Sequence, residues 1–345
     1  MYQSEFLKIK HSNQKKEVAS VADFLNALYS KVCGRKNWSE LTRKYYDGSK
    51  LSEEDLKIKR MIPCGFEECI DSEILFRGQA SCEDSLLPSI ARKYDDGDVK
   101  KESLLNQERN IIESACLKYP DVFKESLLPI EKLALLQHYG IPTRLLDVTE
   151  NPLVALYFAC ARNDECDGEV LIFFNMRLNV SSYPIMQAIA DTYRFTDASG
   201  FSTLKKFFNK VFNQNYFLHY MDVYRKLYKD KEKLITVFST PIFVNAPVRS
   251  PRQRAQKGKY MLFPNKVCCG NSCYLIGEID VFPKDSPFCE RIIIPKSLKK
   301  FLLKELSLMG INKSMLFPEN FDYACQNLVE EIVVRKTLHE MLNKR

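Results

Sequence analysis

Residues 137–159 read QHYGIPTRLLDVTENPLVALYFA, and the reading of the fold starts from them. On the N-terminal side, Pro129 opens an apolar helical run, IEKLALLQH, and Gly140 closes it. On the C-terminal side, Pro152 stands at the start of LVALYFACAR. Proline suits the first turn of a helix, and a helix apolar on every side is a buried one. The stretch between reads as a loop joining two buried helices, yet it holds His138, Tyr139, Thr143, Arg144 and Asp147 within ten residues. Polar groups packed beside buried elements must be paired. Two readings follow. Either they form the wall of a ligand pocket, or Asp147 accepts from Arg144 or from main chain while Asp147 or Thr149 caps the next helix. The internal network suits Arg144 and Asp147 better, His138 fits both readings, and Thr149 is placed to cap a helix and face a ligand together.

Working outward, Ile74-Leu75-Phe76 is a short buried strand running into a tight turn at Arg77-Gly78. Residues 18–32 form an amphipathic helix with Val21, Phe24, Leu25 and Leu28 on one face and Gly34 as its stop. A second helix is expected over 102–123. After the turn signal Asp167-Gly168 comes a core strand, EVLIFF, at 169–174. Residues 181–233 are rich in Phe, Tyr and Lys and read as a helical insertion. Strands return at 234–238, 241–244, 259–263, 274–281 and 291–294. A helix over 297–309 is closed by Gly310, and a long helix is expected over 321–343. The class is α+β, and several short consecutive strands favour an antiparallel or mixed sheet over a doubly wound one.

The chain has 345 residues, and division by ~150 gives about 2.3, room for one elaborated domain or two modest ones. Hydrophobic residues are 45% and charged residues 28%, values of a globular protein and not of a disordered chain or a fibre. No apolar run reaches the ~18–20 residues of a membrane span. Residues 1–16 are polar and basic, unlike a secretory leader. The expected compartment is therefore the reducing cytoplasm, with the 12 cysteines serving mostly as small buried hydrophobes. The net charge of +7 permits an anionic partner without requiring one. Cys268, Cys269 and Cys273 lack paired CxxC spacing and a nearby His, so no metal is expected. P-loop, GxGxxG, HExxH and GxSxG motifs are absent from the sequence.

Three blocks, LFRGQ at 75–79, the 136–159 stretch and RQRAQKGKY at 252–260, together with PSIAR at 88–92, resemble the FRG domain family, named for its Phe-Arg-Gly motif. The resemblance runs roughly from 18 to 264, with Val148 where the family usually has Trp. It divides the chain into an N-terminal helical extension (1–70), an FRG domain (71–265, helical insertion about 181–233) and C-terminal strands and helices that complete or extend it (266–345). FRG domains are distantly similar to the ADP-ribosyltransferase fold. The resemblance therefore implies a split mixed or antiparallel sheet surrounded by helices, with NAD as substrate in a cleft between two short sheets. It implies catalytic roles for Arg77, Thr149 and Gln256, and NAD contacts from Arg77, Gly78, His138, Thr149, Tyr157 and Gln256. The third position is an amide where the larger group usually has Glu.

Residue chemistry is compatible with these roles. Arg77 can fork its donors onto phosphate or ribose oxygens, and Gly78 allows close main-chain approach to a planar amide. Tyr157 suits stacking on nicotinamide or packing in the core. Gln256 cannot titrate but can bond a ribose hydroxyl or an amide, while Glu278 and Asp280 are the best alternative carboxylates in the strand-rich region, although an exposed strand face suits them better. Arg249, Arg252, Arg254, Lys257 and Lys259 form a basic run beside Gln256 that fits nucleic-acid phosphates, a pyrophosphate or a solvated face. The expected function is an NAD-dependent ADP-ribosyltransferase-like effector, a toxin or anti-phage factor acting on nucleic acid or protein. The alternatives are a non-catalytic module binding a nucleotide or nucleic acid, and an interaction protein using an exposed apolar face of the 181–233 lobe.

Overall fold

The computed structural model describes residues 18–33, 73–93, 103–162, 165–176, 179–180, 184–196, 201–218, 229, 241–247, 250–268, 274–286 and 289–319. Its elements in chain order are α1 (Val21–Cys33), β1 (Glu73–Gln79), α2 (Glu108–Lys118), α3 (Pro129–His138), β2 (Leu145–Thr149), α4 (Pro152–Cys160), β3 (Gly168–Met176) and β4 (Asn179–Val180). Next come α5 (Pro184–Ala190), α6 (Thr192–Phe195), β5 (Ser202–Thr203), α7 (Leu204–Val211), β6 (Ile242–Asn245), α8 (Pro251–Ala255), β7 (Gly258–Leu262), β8 (Val267–Cys268) and β9 (Tyr274–Leu275). The last are β10 (Cys289–Ile294), α9 (Lys299–Leu308) and α10 (Lys313–Leu316).

The α+β class is observed. Seven strands form one sheet in the order β10-β3-β1-β2-β7-β6-β4, and β5-β9-β8 form a second. Neighbours are antiparallel except β4 and β6, which run parallel. β3 is buried on both faces. Val170, Ile172 and Phe174 pack with α1, α4 and α9, while Leu171 and Phe173 join Leu86, Ile90, Phe243 and Phe282 on the other side. This two-residue alternation is what a strand's pleat imposes. Along β1, Arg77 pairs with Leu171 and Gly78 with Val170 of β3. Toward β2, a single rung is registered, Phe76 opposite Thr149. The sheet is therefore weakly zipped between β1 and β2, and the site lies there.

Glycine carries α4 into place. A Cβ on Gly78 would lie 1.8 Å from the carbonyl oxygen of Ala155, and one on Gly168 2.3 Å from that of Ala159. Bare backbone at both points lets the helix lie directly on β1 and β3. In this structure Gly78 is thus demanded by helix packing, whatever it also presents to a ligand.

Several expectations are corrected. The stretch after His138 is not a loop between helices, because Leu145–Thr149 is a strand paired over five residues with β7. The helix expected over 102–123 is a 3₁₀ turn followed by an α-helix that ends at Lys118. The strand expected over 274–281 shrinks to two residues. The described part of the 181–233 region is not purely helical, since β5 within it pairs with β9. Among its described residues Ile185, Ile189, Leu204, Phe207, Phe208 and Phe217 are buried in one core cluster, while Phe201 and Leu218 are exposed. Of the cysteines described, Cys160 and Cys289 are buried, whereas Cys268 is exposed. The strand expected at 234–238, the helix at 321–343, Gly34, Arg249, Cys269 and Cys273 lie outside the described residues. No helix among the described residues is long and apolar enough to cross a membrane.

Candidate functional site

A cavity of about 880 Å³ opens where β1 and β2 part. That is within the ~300–1,000 Å³ usual for ligand pockets. Its floor is Phe76, Arg77, Gly78 and Gln79 from β1, with Asp147, Val148 and Thr149 from β2. Phe158 of α4 and Phe317 also line it, and their rings meet edge-on at 6.3 Å. His138, Gln253, Gln256 and Tyr260 are lining residues as well.

Arg77 projects from the open side of β1. Its Nη1 donates to the main-chain oxygen of Asp147 at 2.5 Å, while its buried Nε has no partner. Burial lowers the guanidinium pKa to about 10, opposed by the charge of Asp147 and assisted by that of Arg92, with Asp84 and Glu169 opposing it more weakly. Arg77 therefore stays a cation at neutral pH. A buried N–H without an acceptor is costly, and a ligand oxygen would satisfy it. The buried Oε1 of Gln79 is likewise unpartnered, although the Gln79 amide nitrogen donates to Ser85 O at 3.4 Å.

Thr149 ends β2 and is tied on two sides. Its Oγ1 donates to the main-chain oxygen of Gln256 at 2.7 Å and accepts from the Asn151 amide at 3.0 Å. The helix cap itself is Asn151, whose Oδ1 accepts from Leu153 N at 2.9 Å, so neither Asp147 nor Thr149 fills that role. The Asp147 carboxylate accepts from Gln137 Nε2 at 2.9 Å. Arg144 is turned away from it. Fully buried, Arg144 forks onto Glu108, with Nε to Oε1 at 2.8 Å and Nη2 to Oε2, and reaches Asn265 Oδ1 at 2.8 Å. The reading of Arg144 as structural holds; its partner is Glu108 and not Asp147.

Gln256 lines the cavity, but its Nε2 donates to Leu316 O at 3.1 Å. That bond draws the segment after α10 across the cavity rim. Arg252 stacks its guanidinium 4.8 Å from the Phe317 ring, and its amide donates to Glu319 Oε1 at 3.4 Å. Nε2 of His138 lies 3.5 Å from Glu319 Oε2. Three motif residues thus converge on 316–319, and Glu319 is a cavity carboxylate that the sequence reading missed. Nothing in the 252–260 motif signals it, because 316 is 60 residues beyond Gln256. Glu278 and Asp280 are exposed and remote from the cavity lining, with Asp280 paired to Lys266.

The other expected residues separate. Tyr157 is buried in the core cluster beneath β1 and does not line the cavity; its neighbour Phe158 does. Of the basic run, Arg252 lines the cavity, Arg254 and Lys257 are exposed outside it, and Lys259 pairs with Glu150 at 3.2 Å and Asn245 at 2.8 Å. Lys257 holds φ 45°, a left-handed turn between α8 and β7, and its oxygen accepts from Glu150 N at 3.2 Å. Among the described residues, no group of three His, Cys, Asp or Glu side chains is placed to hold a metal ion. Arg92 and Arg162 also line the cavity.

Neither a curated protein nor a solved structure matches the chain. The model of the FRG domain matches residues 72–168, the segment that holds β1, β2 and α4 and with them Arg77, Asp147, Thr149 and Phe158. The chain carries an FRG domain, and the floor of the cavity is built from it.

Proposed function

We propose that the chain is an NAD-dependent ADP-ribosyltransferase-like effector, built on a sheet split between β1 and β2 and modifying nucleic acid or protein. The observation that carries this reading is that Arg77 and Thr149, on adjacent strands, line one large cavity at the weakly paired seam of the sheet. The unpartnered Nε of Arg77 fits an NAD oxygen, which a charged forked donor binds well. Phe158 and Phe317 offer aromatic surface for a planar ring. Thr149, held by Gln256 O and Asn151 N, is fixed in place at the β2 side of the seam. In transfer, the ribosyl bond to nicotinamide breaks as the acceptor's nucleophile bonds to the same carbon. Positive charge develops there, and preorganised negative charge lowers the barrier. Gln256 has none to give. Glu319, set beside His138 and the Arg252 amide, is the carboxylate suited to that task and to receiving the acceptor's proton.

A second reading, a non-catalytic nucleotide-binding module, is favoured by the engagement of the Gln256 amide with Leu316 O. Incubation of the purified protein with labelled NAD and cell lysate separates the two. Label transfer and nicotinamide release, both lost in Arg77→Ala, support the transferase. Saturable NAD binding without turnover supports the binding module. Full transfer by Arg77→Ala overturns the site. Growth inhibition on expression of the wild type but not of Arg77→Ala is the outcome expected of a toxin or anti-phage factor.

A further inference from the structure

Besides Arg252, three guanidinium groups line the cavity: Arg77 at the seam, Arg92 just after the 3₁₀ turn Ser89–Ala91, and Arg162 just past the C-cap of α4. Among the described residues, none of the three forms an ion pair with a carboxylate, although Asp84 lines the same cavity. Arg92 spends Nε on Leu87 O at 3.0 Å, leaving its terminal nitrogens to other acceptors. Arg162 is exposed, and its main-chain oxygen is gripped by the Nζ of the buried Lys299 at 3.2 Å. The same Nζ donates to Ala80 O at 2.6 Å, which ties the end of β1 to the end of α4. The bases of Arg77 and Arg162 are therefore fixed relative to one another. Like charges lining one cavity repel, and Arg92 already counts among the influences lowering the Arg77 pKa, after burial. An anion resolves that repulsion, and the planar forked donors of arginine suit phosphoryl oxygens better than point charges do.

We infer that Arg92 and Arg162, together with Arg77, form a phosphoryl-binding subsite. The inference deepens the reading of the cavity as an NAD site and rests on it. The phosphoryl group has two possible sources, the diphosphate of the dinucleotide or a phosphate of the acceptor. Arg92 and Arg162 lie outside the set that the sequence motifs singled out for binding, and both are surface side chains whose replacement leaves the core untouched.

Titration calorimetry of the full chain with inorganic pyrophosphate and with a 5′-phosphorylated oligonucleotide tests it, using Arg92→Gln, Arg162→Gln and the double variant. The expected result is that at least one of the two probes binds the wild type. The double variant then weakens that binding by at least tenfold, roughly the loss of one charge-assisted contact, with unchanged circular dichroism. Pyrophosphate that competes with NAD assigns the subsite to the dinucleotide. Oligonucleotide that binds alongside NAD assigns it to the acceptor. Wild-type affinity in the double variant, or no binding of either probe, overturns the subsite. Label transfer from NAD, followed in parallel, keeps the two readings apart. Arginine-dependent anion binding without turnover sustains the subsite and sinks the transferase. Turnover indifferent to Arg92 and Arg162 does the reverse.

Discussion

Arg77 reaches across the seam of the sheet to the main-chain oxygen of Asp147, a link made by a side chain where the strand ladder has one registered rung. The contact fixes one end of the guanidinium and leaves buried Nε without a partner, so the residue costs stability to hold a binding group ready. Arg77→Met should therefore abolish ligand binding while raising resistance to urea by about 1 kcal/mol. Equilibrium unfolding and NAD titration on the same preparation check both halves.

Gly78→Ala should fail for a different reason. Its methyl would meet Ala155 O at 1.8 Å, and main chain of a buried helix has no slack, so the loss should reach roughly 3 kcal/mol or more. Gly168→Ala, at the start of β3 against the same helix, should behave alike, although Gly168 is absent from the cavity lining. If Gly78→Ala folds normally and loses only ligand binding, the packing account is wrong.

Arg144→Met leaves Glu108 as a buried unpaired carboxylate. Breaking such a pair from one side costs about 3–5 kcal/mol. Any binding defect should track the fraction unfolded, and restoring stability with the double change Glu108→Leu, Arg144→Met should restore binding with it.

If Glu319 supplies the negative charge, Glu319→Gln should lower the turnover of NAD by about 10²-fold or more with little change in its affinity. Gln256→Ala, which frees Leu316 O but keeps the main-chain acceptor for Thr149, should cost less. A larger effect from Gln256→Ala than from Glu319→Gln, read as kcat in a nicotinamide-release assay, would falsify this assignment.

Asp191 supplies a pH dependence remote from the cavity. Burial raises its pKa, against the opposing charge and hydrogen bond of Arg194 and the bond from Tyr216. The folded state therefore holds its proton to higher pH than the unfolded one. Stability falls as pH rises from the unfolded value near 3.8 through the raised folded value, and the penalty is complete above it. Asp191→Asn should raise Tm at neutral pH, and the advantage should shrink as the pH is lowered toward 4.

The parts of this molecule legible from sequence are those whose signal is local. The apolar start of β1, the apolar run of β3 and the proline-led α4 announce themselves within ten residues, but Arg77-Gly78, expected as a turn, continues β1 as ladder partners of Leu171 and Val170. β2 does not, since LLDVT between two helices is short, carries an exposed Asp, and is made a strand by β7 more than 100 residues later. The choice between Tyr157 and Phe158 was not readable either. A helix apolar on every side gives no face, and adjacent residues point about 100° apart. Arg144 could be read as buried and paired, but Glu108 as its partner depends on tertiary placement, as does the arrival of Glu319 at the rim.

The outer strand of the sheet has a consequence for how the chain comes to be folded. β10 lies against β3, and Arg291 closes on Glu169 at 2.6 Å from 122 residues away, joined by Lys284. Glu169 is completely buried, so until residues 284–294 leave the ribosome its carboxylate has nothing to neutralise it and β3 has an open edge. A nascent chain carrying the whole of 72–168 would thus still lack a closed sheet, and such long-range closures are slow to form. Translation must run well past the domain's signature motifs before the cavity they line has a firm wall behind it.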